Sequence, residues 1–243
     1  MKKLLLATAF ALVAGSVGAQ DAIKIGTEGA YEPYNYIDQA TGELVGFEIE
    51  LGAELCKRAG LTCEFVQNDW DSIIPNLQSG NYDAIMAGMS ITDERKQVID
   101  FSENYTPPSK SAYLALSADA NIGEGAVIAA QTGTIQAGYI AEQAGNTLLE
   151  FATPDETVAA VKNGEADAVF ADKDYLVPIA GDSGGALVML DNDVALGGGI
   201  GIGMRKSDTE LRAKFDEAIK AMKADGSLNA LIVKYFGEES DKF

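Results

Sequence analysis

The stretch 22–27, Ala-Ile-Lys-Ile-Gly-Thr, is short and β-branched, which predicts a strand. Positions 28–42 are crowded with Tyr, Pro and Gly and predict a loop, followed by a pair of short elements around 44–47. Over 48–59 apolar residues recur at Ile49, Leu51, Leu55 and Ala59, a helical spacing that Gly60 stops. A second strand is predicted over 63–66, then a short helix over 70–77, led by Asp69 and limited in its first turns by Pro75. Repeated strand–helix–strand units predict an α/β fold with a mostly parallel sheet flanked by helices.

One segment returns later in the chain. Positions 80–88 read Gly-Asn-Tyr-Asp-Ala-Ile-Met-Ala-Gly, and positions 164–172 read Gly-Glu-Ala-Asp-Ala-Val-Phe-Ala-Asp. Gly80, Asp83 and Ala84 match Gly164, Asp167 and Ala168. Each copy follows a predicted helix and leads into an apolar strand. Either two helix–strand turns are alike by chance, or the chain holds two similar α/β halves. In the second case the polar residues after each strand lie where open α/β sheets bind ligands.

Over 196–204 Gly alternates with apolar residues, which suits an extended crossing between halves better than a helix. Ser207 with Glu210 three positions on reads as a capping box. The helix behind it buries a stripe of Leu211, Phe215, Ile219 and Met222 and ends at Gly226, and a last helix follows over 227–236.

The first residues set the compartment. Lys2 and Lys3 precede an apolar run of about a dozen residues over 4–15, shorter than the roughly 20 needed to span a bilayer. Small residues at 17–19 then read as the end of a signal peptide, 1–19, so the protein is expected to be exported to the periplasm. With 37 acidic against 18 basic residues the chain carries a formal charge of −19, which argues against nucleic-acid binding. Two cysteines, Cys56 and Cys63, lie close together. In an oxidising compartment they read as a disulfide, with two buried free thiols as the alternative.

The chain has no histidine, hence no His-based triad or His metal site, and two cysteines cannot complete a tetrahedral zinc site. Neither a P-loop nor a dinucleotide-binding glycine pattern occurs, and no cofactor is expected. What remains suits a zwitterion. Arg95, after Ser90 and Thr92, offers a fork for a carboxylate, or else makes a surface ion pair. The turn 131–134 (Gln-Thr-Gly-Thr) opens a helix near Ile135 and presents N–H groups to an anion. Asp172 ends the second echoed strand, where an acid meets an ammonium. Tyr31 and Trp70 follow strands and either flank a ligand side chain or pack in a core.

With these residues in view, the chain resembles the polar amino-acid class of periplasmic solute-binding proteins that feed ABC importers, the histidine and lysine/arginine/ornithine binders in particular. The resemblance runs over nearly all of the chain after the leader. It is carried by Ile25-Gly-Thr27, Tyr31-Glu-Pro33, Gly46-Phe47, Glu54-Leu-Cys56 with Cys63, Ile74-Pro75, Asp83-Ala-Ile85, Ser90-Ile-Thr92 with Arg95, Gly133-Thr134, Asp167-Ala168 and Ala224-Asp-Gly226. It implies two α/β lobes joined by two crossing strands and closing over a ligand. Lobe 1 is expected at 20–110 plus 200–243 and lobe 2 at 111–199, with crossings near 109–114 and 196–201.

The resemblance further implies that Arg95, Ser90 and N–H groups at Thr134 and Ile135 hold an α-carboxylate. Asp172 and the Gly88 carbonyl would hold the α-ammonium, with Glu28, Tyr31, Trp70 and Gln136 around the side chain. Its partners would be an L-amino acid (or an opine-like derivative) and a membrane permease, with the receptor itself monomeric. The chain departs from the family at Ala87, Gly88 and Ile135, where hydroxyl side chains are common, and at Glu28, where Asp is commoner. Glu28 favours a cationic or polar side chain. Two other readings stay open on this fold: a periplasmic dehydratase of an aromatic-amino-acid precursor, and a sensor module that presents its ligand to a membrane receptor.

Overall fold

Two large sheets, each covered by helices, form the body of the protein in a computed structural model that describes residues 22–243. The leader expected at 1–19 lies outside the described residues. The first sheet has the strand order Cys63–Gln67, Ile23–Thr27, Ala84–Ile85, Ile200–Met204, Asp100–Thr106. The second is ordered Thr147–Phe151, Val127–Gln131, Ala168–Asp172, Lys110–Ala115, Val188–Met189, and Val194–Ala195 also pairs with Lys110–Ala115. In each sheet the first three strands are parallel. One strand per sheet opposes the rest: Ile200–Met204 in the first, Lys110–Ala115 in the second. Each is the strand by which the chain enters that lobe from the other, so the mixed character of both sheets comes from the crossings.

The first crossing is the short segment 107–109, because Lys110–Ala115 is already laddered onto Ala168–Asp172. The second spans 196–199 and lies against the first. Gly199 is required there: its φ is +89°, and a Cβ would fall 2.6 Å from the Thr106 carbonyl oxygen. The remainder of the Gly-rich stretch, Ile200–Met204, is a fully buried strand rather than a free crossing.

The internal repeat holds in three dimensions. Asp83 accepts from the Lys24 N–H (3.0 Å) and donates its own N–H to the Lys24 carbonyl (2.8 Å). Asp167 makes the same pair of bonds with Val127, both at 2.8 Å. In both lobes an aspartate thus clamps the start of one parallel strand to the next and sets their register.

Three local expectations are corrected. The segment 28–42 contributes to a small three-stranded sheet, Ala30–Tyr31, Asn35–Ile37 and Leu44–Val45, rather than a loop. The helix Phe47–Arg58 buries Phe47, Glu48, Leu51, Leu55 and Cys56, so its inner face includes a glutamate and not Ile49. The capping box expected at Ser207 and Glu210 does not form. The helix Thr209–Ala224 is entered from Asp208, which Ser207 and Arg205 engage instead. A capping box does occur at Thr153 and Glu156, where Pro154 begins the helix Pro154–Lys162.

Cys56 and Cys63 are joined as a disulfide that ties the end of the helix Phe47–Arg58 to the start of a strand. Closing so short a loop contributes about 2.5 kcal/mol by chain entropy. Replacing both cysteines with serine is therefore expected to lower the unfolding midpoint by roughly 5–10 °C. Ligand affinity should stay at the wild-type value, since neither sulfur is near the cleft between the lobes. Calorimetry and titration of the same sample check both halves of that expectation.

Candidate functional site

Parallel strands of both lobes end at one cavity, and each end delivers a polar or aromatic side chain to it. Glu28 follows Ile23–Thr27, and Trp70 follows Cys63–Gln67. Ala87, Gly88 and Ser90 follow Ala84–Ile85, and Arg95 starts the next short turn. From the other lobe, Gln131 ends Val127–Gln131, Thr134 caps the helix Ile135–Ala141, and Asp172 ends Ala168–Asp172. All ten residues singled out from the sequence, Glu28, Tyr31, Trp70, Gly88, Ser90, Arg95, Thr134, Ile135, Gln136 and Asp172, line this cavity. Ala87 and Gln131 join them, although no role was expected of their side chains.

Each charged side chain is met from the opposite lobe. Arg95 donates through Nη1 to the Ser90 carbonyl (2.8 Å) and through Nη2 across the cleft to the Gly133 carbonyl (3.3 Å). Its guanidinium lies 5.3 Å from the Trp70 ring centroid, within cation–π range. Burial pushes its pKa down to about 10, against the pull of Asp172, so it stays charged at neutral pH. The surface ion-pair reading of Arg95 is thereby set aside: its partners are carbonyls and an indole.

Asp172 accepts from the Tyr31 hydroxyl (2.7 Å) and from Gln136 Nε2 (2.7 Å), which also donates to Ser111 Oγ (3.0 Å). Burial pushes the Asp172 carboxyl up to about 6; the bonds from Tyr31 and Gln136 and the charge of Arg95 oppose that rise, and Asp174 adds to it. Glu28, 6% exposed, accepts from Gln131 Nε2 at 2.6 Å. Burial raises it to about 7, with the Gln131 bond opposing and Asp69, Asp155 and Asp71 adding to the rise.

The aromatics are both core and wall. Tyr31 stacks on Tyr175 of the other lobe, with centroids 4.5 Å apart and planes 17° from parallel. Trp70 packs on Ile73, Leu77 and Ile85 and still faces the cavity. Thr134 caps its helix by accepting from the Ala137 N–H (3.1 Å), and its hydroxyl donates to the Gln131 carbonyl (2.7 Å). Ile135 begins that helix, so its N–H has no carbonyl one turn earlier and remains available to an anion.

One group behind the site escaped sequence reasoning. Glu48 is fully buried and accepts from the Gly88 N–H (2.8 Å), the Tyr105 hydroxyl and Asn35 Nδ2 (2.6 Å). Asn35 in turn accepts from the Gly29 N–H at 2.7 Å. This chain of bonds fixes the turns that carry Glu28 and Gly88. Gly88 needs its glycine, because φ is +62° and a Cβ would stand 3.2 Å from the Tyr31 ring. A hydroxyl-bearing side chain has no place there. A glutamate opening a helix gives no signal of this role, since its partners come from positions 35, 88 and 105.

Two α/β lobes with a polar cavity between them, lined by opposed charges, define a receptor for a small charged solute. The chain belongs to the bacterial extracellular solute-binding proteins, family 3, whose family model matches residues 23–238. It is 33% identical to the histidine-binding periplasmic protein of Salmonella typhimurium and 32% identical to the lysine/arginine/ornithine-binding periplasmic protein of Escherichia coli. Both alignments cover 97% of this chain and 97% of the relative. Among solved structures, a periplasmic His/Glu/Gln/Arg/opine family-binding protein from Silicibacter pomeroyi, in complex with lysine, superposes with a TM-score of 0.88. It shares 65% sequence identity, over 91% of this chain and all of that one.

Proposed function

We propose that this protein is the periplasmic receptor of an ABC importer and captures a cationic L-amino acid, lysine foremost, by closing its lobes. One observation carries the choice of ligand. Arg95, Asp172 and Glu28 line the same cavity, a cation and two anions. They are the complement of the carboxylate, the α-ammonium and the side-chain cation of lysine. In this arrangement Arg95, Ser90 and the N–H groups at Thr134 and Ile135 take the carboxylate. Asp172 and the Gly88 carbonyl take the α-ammonium. Tyr31, Trp70 and Gln136 flank the alkyl stem, and Glu28 meets its far end. The lysine held by the Silicibacter pomeroyi relative supports the same choice. A membrane permease is the partner, and the role is capture rather than catalysis.

Trp70, the only tryptophan, reports on the site directly. Titrating lysine, arginine, ornithine, histidine, glutamine and glutamate against its fluorescence should give the tightest saturable change with lysine or arginine. Glutamate binding best, or no change with any cationic amino acid, would overturn the assignment. Arogenate and prephenate should yield no product on incubation.

The pH profile is a second test. Glu28 and Asp172 must both be charged to hold a cationic amino acid, and their carboxyls sit at about 7 and about 6. Lowering the pH protonates Glu28 first, so Kd for lysine should rise about tenfold per unit below pH 7, and more steeply below 6. For glutamine, whose side chain is neutral, the loss should begin only below pH 6. Identical profiles for the two ligands would remove Glu28 from the side-chain end.

A further inference from the structure

Two tyrosine–aspartate pairs bridge the lobes side by side. Tyr31 and Tyr34 come from one turn of the first lobe; Asp172 and Asp174 come from the strand-to-helix junction of the second. The inner pair, Tyr31 to Asp172 at 2.7 Å, lies in the ligand cavity. In the outer pair the Tyr34 hydroxyl donates to Asp174 Oδ2 at 3.2 Å. It lies in a different groove between the lobes, lined by Pro107 and Ser109 of the first crossing and by Val177 and Phe236.

Tyr34 is fully buried. Its ring is held by Phe236 (centroids 4.8 Å apart) and the edge of Phe47 (6.2 Å). It also stacks on Tyr31 at 5.6 Å, and Tyr31 stacks on Tyr175, so three rings lead from one lobe into the other. Tyr34 and Asp174 belong to elements of different lobes, so their bond exists only while the lobes are together. Neither partner of the bond lines the ligand cavity, although the Tyr34 ring backs Tyr31 and Asp174 lies two residues beyond Asp172. The inner pair faces the cavity that the ligand is proposed to fill, and the outer pair does not.

We infer that Tyr34 and Asp174 form a latch that stabilises the closed lobes independently of the ligand. The inference rests on the reading of the protein as a receptor that closes. Apparent affinity is the affinity of the closed form scaled by its population. The latch therefore sets how tightly every ligand is held and leaves the choice among ligands to the cavity. Tyr34 and Asp174 are positioning residues in this role.

The test compares Tyr34→Phe, which keeps the buried ring, Asp174→Ala and the double variant by calorimetric titration with lysine and with arginine. The expected result is a Kd about tenfold higher for both ligands in each variant, as for loss of one bond to a charged group. The ratio between ligands should be unchanged, dissociation should be faster, and the double variant should be no weaker than the weaker single. A Kd equal to wild type, with or without a lower unfolding midpoint, overturns the latch. So does an altered lysine-to-arginine ratio, or additive losses.

Distances between spin labels, one on each lobe, supply a readout that needs no ligand. Tyr34→Phe should shift the ligand-free protein towards longer distances. If the wild type binds neither amino acid, the functional reading fails, and an unchanged distance distribution sinks the latch separately.

Discussion

Replacing Arg95 with alanine is expected to raise the Kd for lysine by two to three orders of magnitude. Among the described residues the guanidinium is the only cation lining the cavity, and it lies half-buried between the Ser90 and Gly133 carbonyls and the Trp70 ring. Without it the ligand carboxylate enters a site that has removed it from water and offers no opposite charge. Breaking a buried charge pair in this way costs about 3–5 kcal/mol. Arg95→Lys should recover only part of the loss, because an ammonium cannot present the planar fork that reaches both sides of the cleft. Calorimetry with lysine decides the matter: a Kd within threefold of wild type for the alanine variant would show that Arg95 does not hold the carboxylate.

Asp172→Asn is expected to move binding and stability in opposite directions. The α-ammonium loses its counter-charge, so Kd for lysine should rise by a hundredfold or more. Stability without ligand should increase. Burial lifts the Asp172 carboxyl from 3.8 to about 6, so the folded chain favours its neutral form. The cost of the buried charge is absent below about pH 4 and grows as the pH rises through that interval. Above pH 6 it is fully present. Asparagine, which is never charged, escapes it. The ligand-free variant should therefore unfold at a higher temperature than wild type at pH 8, with the gap closing by pH 4. An equal midpoint at pH 8 would show that the buried carboxylate costs the fold nothing. The site's charges, on this view, are maintained for the ligand at the expense of the empty protein.

Much of the architecture was legible because it follows from local periodicity. The strand at 22–27, the helix ending at Gly60, the helices before and after Gly226 and the paired echo at 80–88 and 164–172 each rest on near neighbours in sequence. The failures share a cause. The face of the helix Phe47–Arg58 was misread at Glu48, whose burial is sustained by Asn35, Gly88 and Tyr105. The strands within 28–42 look like a loop in the sequence because they are only two or three residues long and carry no period. The cap at Ser207 failed because Asp208 took that place, engaged by Ser207 and Arg205.

The candidate site divides along the same line. Residue types and family motifs were enough to nominate Arg95 for an anion, Asp172 and Glu28 for cations, and Tyr31 and Trp70 for the walls, since charge and shape belong to the side chain itself. Only the folded chain decided that Gln131 answers Glu28 across the cleft, that Glu48 holds Gly88 from behind, and that Tyr34 meets Asp174 outside the cavity. Those pairings join positions 103, 40 and 140 apart in the chain. No local pattern encodes such contacts: Glu48 meets Gly88 only when the first lobe folds, and the other two arise when the lobes are brought face to face by the crossings at 107–109 and 196–199.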